Sequence, residues 1–222
     1  MANLIEIDNV SKNYGSTEIL SSINLKIEKQ KSLGIFGPSG CGKTTLLQLI
    51  GCLDTPTAGI IKIKDQVVKE ADLLEHRRKT FGFIFQNFQL LKSESALNNV
   101  LLPSLISCSY SKKKLFEKKA KELLELVGLK DKVHQDVNTL SGGEKQRVAI
   151  ARSLIRSPDC ILADEPTGNL DEETKQIIFS LLLDIVQKHN KTLIMVTHDL
   201  SFLKYFDETY TLKHKSLNQI PL

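Results

Sequence analysis

Four short apolar runs, each ending at a polar residue, constrain how this chain can fold. The runs cover residues 32–36, 81–85, 160–163 and 192–197, and the residues that follow them are Gly37, Gln86, Asp164 with Glu165, and His198. Unbroken apolar runs of this length are typical of strands buried on both faces, as in a parallel sheet. Because ligands of open α/β sheets bind beyond the carboxyl ends of the strands, we expect all four polar ends at one edge of one sheet.

The segments on either side of these runs follow other patterns. Residues 3–28 and 60–68 alternate apolar and polar side chains, which predicts antiparallel strands with one face in solvent. Residues 88–157 repeat apolar side chains at helical spacing, which predicts a section of helices. The predicted fold class is therefore α/β, with a mainly parallel core sheet, an N-terminal antiparallel β subdomain and an inserted α-helical subdomain.

The chain has the size and composition of one globular domain. It has 222 residues, of which 41% are hydrophobic and 25% charged, and it contains neither an internal repeat nor a low-complexity linker. We therefore predict a single domain over residues 1–222. Its core is formed by residues 1–87 and 158–222, and the helical subdomain covers residues 88–157.

The charge of the chain carries little information about partners. A net charge of +4 is too small to indicate a nucleic-acid-binding protein. One stretch on a predicted helix is markedly basic, and a solvated helix face is its first interpretation, with contact to an anionic membrane surface as the alternative. The lysines of this stretch are Lys112, Lys113, Lys114, Lys118, Lys119 and Lys121.

The cysteines and the hydropathy pattern indicate a cytosolic protein. Cys41, Cys52, Cys108 and Cys160 have neither CxxC nor metal-ligand spacing, and without a secretory leader we expect them to be reduced thiols. No apolar run approaches the roughly 18 residues that a membrane helix requires. If the protein serves transport, we expect the membrane part to be another chain.

Residues 37–45, GPSGCGKTT, lie between an apolar strand and an apolar helix, which is the context of a phosphate-binding loop. Glycines let backbone N–H groups curl around an anion at the helix N-terminus. Lys43 would face the outer phosphates of a nucleoside triphosphate, and Thr44 would offer a hydroxyl to Mg²⁺. The candidate binding residues of the loop are Gly37, Pro38, Ser39, Gly40, Cys41, Gly42, Lys43, Thr44 and Thr45.

Two carboxylates follow the third apolar run. Asp164 would hold Mg²⁺ through water, and Glu165 would polarise the water that attacks the terminal phosphate. Taken alone, an acidic strand end is more often a helix cap or a surface pair. The phosphate loop in the same chain favours the catalytic interpretation.

Residues 140–147, LSGGEKQR, predict a helix start with two unusual glycines. Ser141 and Glu144 have the spacing of a capping box, so a plain helix cap is one interpretation. Each glycine in the first turn costs roughly 1 kcal/mol of helix stability, which favours a site approached closely by another group. Ser141, Gly142 and Gly143 would then form a second anion site, best explained by a second copy of the chain.

Three other side chains have both a functional and an ordinary interpretation. His198 ends the fourth run, where it would contact the terminal phosphate. Gln86 is either part of the site or an ordinary loop glutamine. Tyr14, in the segment NVSKNYG ahead of the phosphate loop, either stacks on adenine or is a core tyrosine.

Together these segments resemble the ABC-type ATPase family, and the likeness spans nearly the whole chain. The resemblance implies that residues 37–45 are the Walker A loop, that residues 140–146 are the family signature and that Asp164 and Glu165 are the Walker B pair. It also implies that Tyr14 stacks on adenine, that Gln86 senses Mg²⁺ and links to a membrane subunit, and that Asp171 is the D-loop aspartate. The resulting candidates are Glu165, His198, Gln86 and Lys43 for catalysis, and Thr44, Gln86 and Asp164 for the metal.

The resemblance also implies how the chain works. ATP and Mg²⁺ would be its cofactors, and two copies would face head to tail. Each ATP would lie between the Walker A loop of one copy and residues 141–143 of the other. The partner would be a separate integral membrane permease, with no nucleic acid involved, and the chain would sit at the cytoplasmic face of the cell membrane.

Finer marks point to a branch of the family. The segments EPTGNLD at 165–171 and ALNNVLLPSL at 96–105 look like the bacterial branch that contains lipoprotein-release, macrolide-export and cell-division ATPases. A lipoprotein-release or export subunit is one prediction. The alternative is an ATPase that gates a cell-wall hydrolase through a membrane partner without moving a substrate. DNA-repair and translation members carry paired ATPase units or a long coiled coil, for which 222 residues leave no room.

Overall fold

The computed structural model describes residues 2–105 and 113–221, so Cys108 and Lys112 lie outside the described residues. The strands are β1 (Asn3–Tyr14), β2 (Thr17–Glu28), β3 (Ser32–Phe36), β4 (Ala58–Ile63), β5 (Gln66–Val67), β6 (Phe81–Ile84), β7 (Cys160–Asp164), β8 (Thr192–Thr197), β9 (Glu208–Lys213) and β10 (Ser216–Gln219). The helices are α1 (Lys43–Ile50), α2 (Leu73–Thr80), α3 (Ala96–Leu105), α4 (Lys113–Leu126), α5 (Gly142–Leu154) and α6 (Glu172–Lys188). None of these described helices has the length and apolar character needed to cross a membrane.

The N-terminal strands form the predicted antiparallel sheet, in the order β2-β1-β4-β5. The alternation on β2 matches its burial, since Ile23, Leu25 and Ile27 are buried while Asn24 and Lys26 between them are exposed. Side chains on a strand point alternately to opposite faces, so a period of two produces one apolar and one solvated face. The prediction for this part of the fold is confirmed.

A second sheet, of order β10-β9-β3-β8-β7-β6, contains all four apolar runs. Strands β9, β3, β8, β7 and β6 run parallel, and only β10 at the edge is antiparallel to its neighbour. Every residue of β3 and β8 is buried, as expected for strands covered on both faces. The predicted mainly parallel core sheet is therefore confirmed.

The core sheet is the middle layer of the molecule. On β8, Leu193 and Met195 pack into a cluster shared with α3, α4, α5 and α6. Ile194 and Val196 point the other way, into a cluster shared with α1 and the antiparallel sheet. Both faces of the sheet bury apolar side chains, and the polar residues lie where the strands end.

The helical section begins later than the sequence pattern suggests. Strand β6 ends at Ile84, and the chain reaches α3 only at Ala96. Between them, Phe88 and Gln89 have φ of 55° and 47°, which is incompatible with a right-handed helix. Asn99 of α3 fixes this connection, since its Oδ1 accepts from the N–H of Leu91 at 2.7 Å.

The described part of the basic stretch lies on α4. Lys118 pairs with Glu122 at 3.9 Å, and Lys121 pairs with Glu117 at 2.9 Å, each one helical turn apart. Pairs of this kind are typical of a solvated helix surface. They support the first interpretation of the stretch, and contact with an anionic membrane stays a prediction.

Candidate active site

The loop between β3 and α1 has the backbone geometry of an anion site. Gly40 and Gly42 have φ of 78° and 102°, a region that glycine adopts at little cost. A Cβ atom at Gly37 would lie 2.6 Å from the carbonyl oxygen of Leu212, because the loop passes directly over β9. Within the described residues no side chain caps the start of α1, so its first N–H groups face the loop.

Lys43, the first residue of α1, is held in the loop by three oxygen atoms. Its ammonium group donates to the carbonyl oxygens of Gly37 at 2.8 Å and Pro38 at 3.0 Å. It also lies 3.4 Å from Oε1 of Glu165. The side chain is only 6% exposed, so a positive charge is fixed at the bottom of the loop with little contact to water.

Glu165 occupies a strained position directly after β7. Its φ is 45°, a value uncommon for a residue other than glycine, and its N–H donates to the carbonyl oxygen of Val196 at 3.0 Å. This backbone turn aims the carboxylate between two groups from other elements of the fold. One is Lys43, and the other is His198, whose Nδ1 lies 2.7 Å from Oε2 of Glu165.

Thr44 and Asp164 provide oxygen atoms suited to Mg²⁺. The Thr44 hydroxyl donates to Oδ1 of Asp164 at 3.1 Å, although the two residues are 120 positions apart. Burial raises the pKa of Asp164, and the hydrogen bond from Thr44 opposes that rise. A carboxylate and a hydroxyl are hard oxygen ligands of the kind that Mg²⁺ prefers, so this pair fits the predicted metal.

Side chains from all four predicted strand ends meet at one cleft of about 310 Å³. The cleft is lined by Ile19, Ser39, Gly40, Gly42, Lys43, Thr44, Thr45, Gln86, Glu165 and His198. It therefore combines an anion-binding loop, a buried ammonium group, an oxygen pair and a carboxylate bonded to an imidazole. Such a set can hold a polyphosphate and activate a water molecule beside it.

The backbone after Gln86 is fixed by side chains that the sequence pattern did not single out. Nδ2 of Asn169 donates to the carbonyl oxygen of Gln86 at 3.0 Å. The guanidinium group of Arg152, on α5, donates to the carbonyl oxygens of Phe88 and Gln89. Burial lowers the pKa of Arg152 to about 10. Asn169 sits inside the EPTGNLD segment, but nothing in its neighbourhood indicates this distant contact.

The signature loop lies apart from the residues that line the cleft. Ser141 caps α5, and a reciprocal capping box joins it to Glu144, which also pairs with Lys132. The plain cap is therefore present. Lys132, which the sequence pattern did not indicate, extends this cap through its ion pair with Glu144.

The two signature glycines differ in their surroundings. A Cβ atom at Gly143 would lie 2.6 Å from Cγ2 of Thr174 on α6, so packing within the chain requires this glycine. This packing accounts for the glycine without an outside group, and the binding role of Gly143 stays a prediction. Gly142 is exposed, and a Cβ there would lie 3.3 Å from Cδ2 of Leu170. Of the two glycines, Gly142 is the one whose backbone is exposed.

Two other predicted residues are found in well-defined positions. Tyr14 is 48% exposed, which rules out the interpretation as a core tyrosine. Asp171 caps α6, since its Oδ1 accepts from the N–H of Thr174 at 2.9 Å and its Oδ2 accepts from the Thr174 hydroxyl at 2.7 Å. Asp171 therefore fixes the end of the loop that leads away from Glu165.

Comparison with known protein families identifies the family to which this site belongs. Residues 20–168, which contain the phosphate loop, Gln86, the signature and both Walker B carboxylates, match the ABC transporter family. The chain belongs to the ABC transporter family. It is the ATP-binding subunit that such transporters use to hydrolyse ATP, as the resemblance of its motifs predicts.

Curated relatives of this ABC ATPase cover almost its whole length. A "Lipoprotein-releasing system ATP-binding protein LolD" from Bacteroides thetaiotaomicron is 44% identical over 93% of this chain and 95% of its own. A LolD from Rickettsia bellii is 43% identical over 97% of both chains. The uncharacterised ABC transporter ATP-binding protein MJ1508 from Methanocaldococcus jannaschii is 44% identical over 98% of this chain and 99% of its own. The predicted resemblance to the branch with lipoprotein-release ATPases is confirmed.

Solved ABC cassettes share the fold. The dimeric structure of the cassette MJ0796 matches with a TM-score of 0.85 and 36% identity over 98% of this chain and 99% of its own. A post-hydrolysis state of MJ0796 bound to ADP and Pi matches with a TM-score of 0.84 and 35% identity, with the same coverage. The predicted P-loop fold is confirmed by these similarities.

Proposed function

We propose that this ABC ATPase powers a lipoprotein-release transporter whose membrane-spanning part is a separate permease. The single observation that carries the proposal is the meeting of Lys43, Glu165 and His198 in the cleft, each from a different strand end. The LolD names of relatives at 43–44% identity support the substrate class. No relative reported above carries a cell-division name, so the hydrolase-gating alternative has no comparable support.

The nucleotide would bind through charges and backbone dipoles that are already in position. The N–H groups of Gly37 and of residues 39–42 would surround the β-phosphate, and Lys43 would turn from its carbonyl partners toward the outer phosphates. Thr44 and Asp164 would hold Mg²⁺, and Gln86 would approach it from the other side of the cleft. The ion supplies charge neutralisation on the phosphate oxygens when it is bound.

Glu165 is the proposed general base. Its carboxylate lies beside the buried charge of Lys43, and its Oε2 is oriented by His198. A carboxylate fixed at this point accepts a hydrogen bond from a water molecule and orients it toward the terminal phosphorus atom. The His198 side chain is 57% exposed and lines the cleft, so its second nitrogen remains able to contact the phosphate.

The second half of each ATP site would come from another copy of the chain. Residues 141–143 cap α5 outside the cleft, and the exposed Gly142 offers backbone N–H groups to an anion. The dimeric structure of MJ0796, at 36% identity, supports a dimer for this chain. Binding of ATP would close the two copies head to tail, and hydrolysis would reopen them.

The permease would dock in a groove of about 470 Å³ between α2, β6 and α3. The rings of Phe83 and Phe85 stack at 5.7 Å in its lining, and Arg77 and Arg78 line it from α2. This chemistry fits a helix that presents an apolar side chain and a carboxylate. Gln89 also lines the groove, and Gln86 three residues before it lines the cleft, so docking would act on the cleft through the segment 86–89. The chain would then lie at the cytoplasmic face of the cell membrane.

The test uses the ATPase co-expressed with the permease that co-purifies with it, reconstituted in vesicles that carry a lipidated protein. ATP should release that lipoprotein to a soluble acceptor. Lys43→Ala should abolish release and ATP binding, because it removes the charge that faces the phosphates. Lys188→Ala, which cuts an exposed ion pair with Asp184 on α6, is the matched control and should leave release unchanged. ATP turnover without lipoprotein release would reject the substrate class.

A further inference from the structure

Lys12, Tyr14 and Asp54 form a closely bonded cluster beside the phosphate loop. The Lys12 ammonium donates to Oδ1 of Asp54 and to the carbonyl oxygen of Thr55, both at 2.7 Å. The Tyr14 hydroxyl donates to Oδ2 of the same carboxylate at 2.6 Å. Lys12 also lies over the Tyr14 ring, 4.8 Å from its centroid. One carboxylate therefore fixes both the tyrosine and the cation that covers it.

The two sides of the Tyr14 ring have different surroundings. Lys12 on one side is 7% exposed, whereas Tyr14 itself is 48% exposed. The ring is therefore covered by a buried ammonium group on one face and retains an accessible surface away from it. An exposed aromatic ring held by both a hydrogen bond and a cation is unusual, because a free surface tyrosine keeps its rotamer freedom.

The position of the ring ties it to the nucleotide cleft. The Tyr14 hydroxyl also lies close to the side chain of Thr45, which lines the cleft. Asp54 follows α1, the helix that begins at Lys43, by four residues. The ring therefore lies close to the start of α1, at Thr45, and is bonded to Asp54 just after its end. Helix α1 is the helix that follows the phosphate loop.

We propose that Lys12 and Asp54 are positioning residues that hold the Tyr14 ring as the platform on which the base of the nucleotide stacks. The inference rests on the proposed binding of ATP at residues 37–45. Asp54 fixes the tilt of the ring through the hydroxyl, and Lys12 fills the face that the base does not use. Because both anchors are set before binding, the base meets a surface whose ordering cost has already been met by the fold.

A purely structural cluster is the competing explanation. Lys12 and Asp54 join β1 to the segment after α1, and such a contact stabilises the fold whether or not a base binds. If the role is structural, substitutions in the cluster change thermal stability and weaken the binding of all ligands alike. A positioning role changes the affinity for ligands that carry the base and spares those that do not.

The experiment measures binding of ADP and of inorganic pyrophosphate, with Mg²⁺, to the full chain by calorimetry. Pyrophosphate uses the phosphate loop alone, so the ratio of the two affinities isolates the adenosine contribution. We expect Tyr14→Ala to weaken the binding of ADP about tenfold. Lys12→Met and Asp54→Asn should weaken ADP binding about threefold to fivefold. Pyrophosphate affinity should stay unchanged in all three. Lys62→Met, which cuts the partly exposed ion pair with Glu6 on the same sheet, is the matched control and should change neither affinity.

Tyr14→Phe keeps the ring and removes its hydroxyl, and with it the hydrogen bond to Asp54, so it tests anchoring even if Lys12→Met fails to fold. Weaker ADP binding with normal pyrophosphate binding supports the proposal. Normal ADP binding by Tyr14→Phe and Asp54→Asn, with weaker binding by Tyr14→Ala, shows a platform that needs no anchors and overturns it. If Lys43→Ala leaves pyrophosphate affinity unchanged, the phosphate loop itself is misassigned, and the proposed function fails separately.

Discussion

Oε2 of Glu165 lies 2.7 Å from Nδ1 of His198, and Oε1 of the same carboxylate lies 3.4 Å from the ammonium group of Lys43. The three residues come from β7, β8 and the start of α1. A carboxylate accepts hydrogen bonds, so the contact favours the histidine tautomer that carries its proton on Nδ1. Phosphate oxygens compete with Glu165 for Lys43, and binding would thereby free one carboxylate oxygen for water.

Glu165→Gln should retain ATP binding and lose most turnover. The amide keeps an oxygen for His198 but cannot accept a proton, so we expect hydrolysis to fall about 10²- to 10⁴-fold. ATP should then accumulate in a closed dimer, visible by gel filtration with Mg²⁺. Glu172→Gln, in the exposed first turn of α6, is the control and should hydrolyse ATP normally. Normal turnover by Glu165→Gln would remove it as the base.

Gly142→Asp tests the two-copy site. The carboxylate would stand where the partner's terminal phosphate is proposed to lie, and like charges repel in a tight site. One copy should still bind ATP, because the phosphate loop is untouched, while dimer closure and hydrolysis fail. Gly142→Ala is the control for the added Cβ atom, which would lie 3.3 Å from Cδ2 of Leu170. This variant should keep most activity. Hydrolysis by Gly142→Asp at the normal rate means that the signature loop is only a helix cap.

Asp164→Asn should stabilise the nucleotide-free protein and abolish Mg²⁺-dependent hydrolysis. Burial raises the pKa of Asp164 above its ordinary value of 3.8, so the folded state binds this proton more tightly than the unfolded state. The stability that the protonated form contributes is present at low pH and is lost as the pH rises through the raised pKa. At pH 7 in EDTA, calorimetry should show a higher Tm for Asp164→Asn.

Asp171→Ala should change Tm in the opposite direction in the same measurement. Hydrogen bonds from Thr174 lower the pKa of Asp171, so its contribution to stability is present above the unfolded value and lost as the pH falls. Removing this cap of α6 should lower Tm at pH 7. A lower Tm in both variants would show that Asp164 stabilises the fold, against the assigned burial effect.

Bound nucleotide should protect Cys41 from maleimide. This thiol lies within the phosphate loop, partly exposed, next to Gly37. Cys52 and Cys160 are buried, and burial raises the pKa of Cys52 to about 11, so neither should compete at pH 7. Peptide mapping by mass spectrometry follows Cys41 alone. Equal, rapid labelling with and without ATP contradicts a nucleotide over this loop.

The sequence determined the core of this fold because its signals are local. The four apolar runs predicted buried parallel strands, and their polar ends were bound to meet once those strands were adjacent. The phosphate loop, the capping box of Ser141 with Glu144 and the alternation of β2 all depend on residues fewer than ten positions apart. Physical constraints at that range, such as backbone conformation and side-chain period, can be recognised without knowing the partners.

The tertiary structure alone decided the contacts between distant segments. Arg152 reaches Gln89 across 63 residues, and Lys12 reaches Asp54 across 42, with no period or motif that connects them. Gly143 is explained by Thr174, which belongs to another helix. These pairings depend on how the sheet and helices pack, and packing brings together side chains whose chemistry is unremarkable until they are neighbours. The sequence therefore specified the candidate catalytic groups, and the packing of the layers specified what holds them in position.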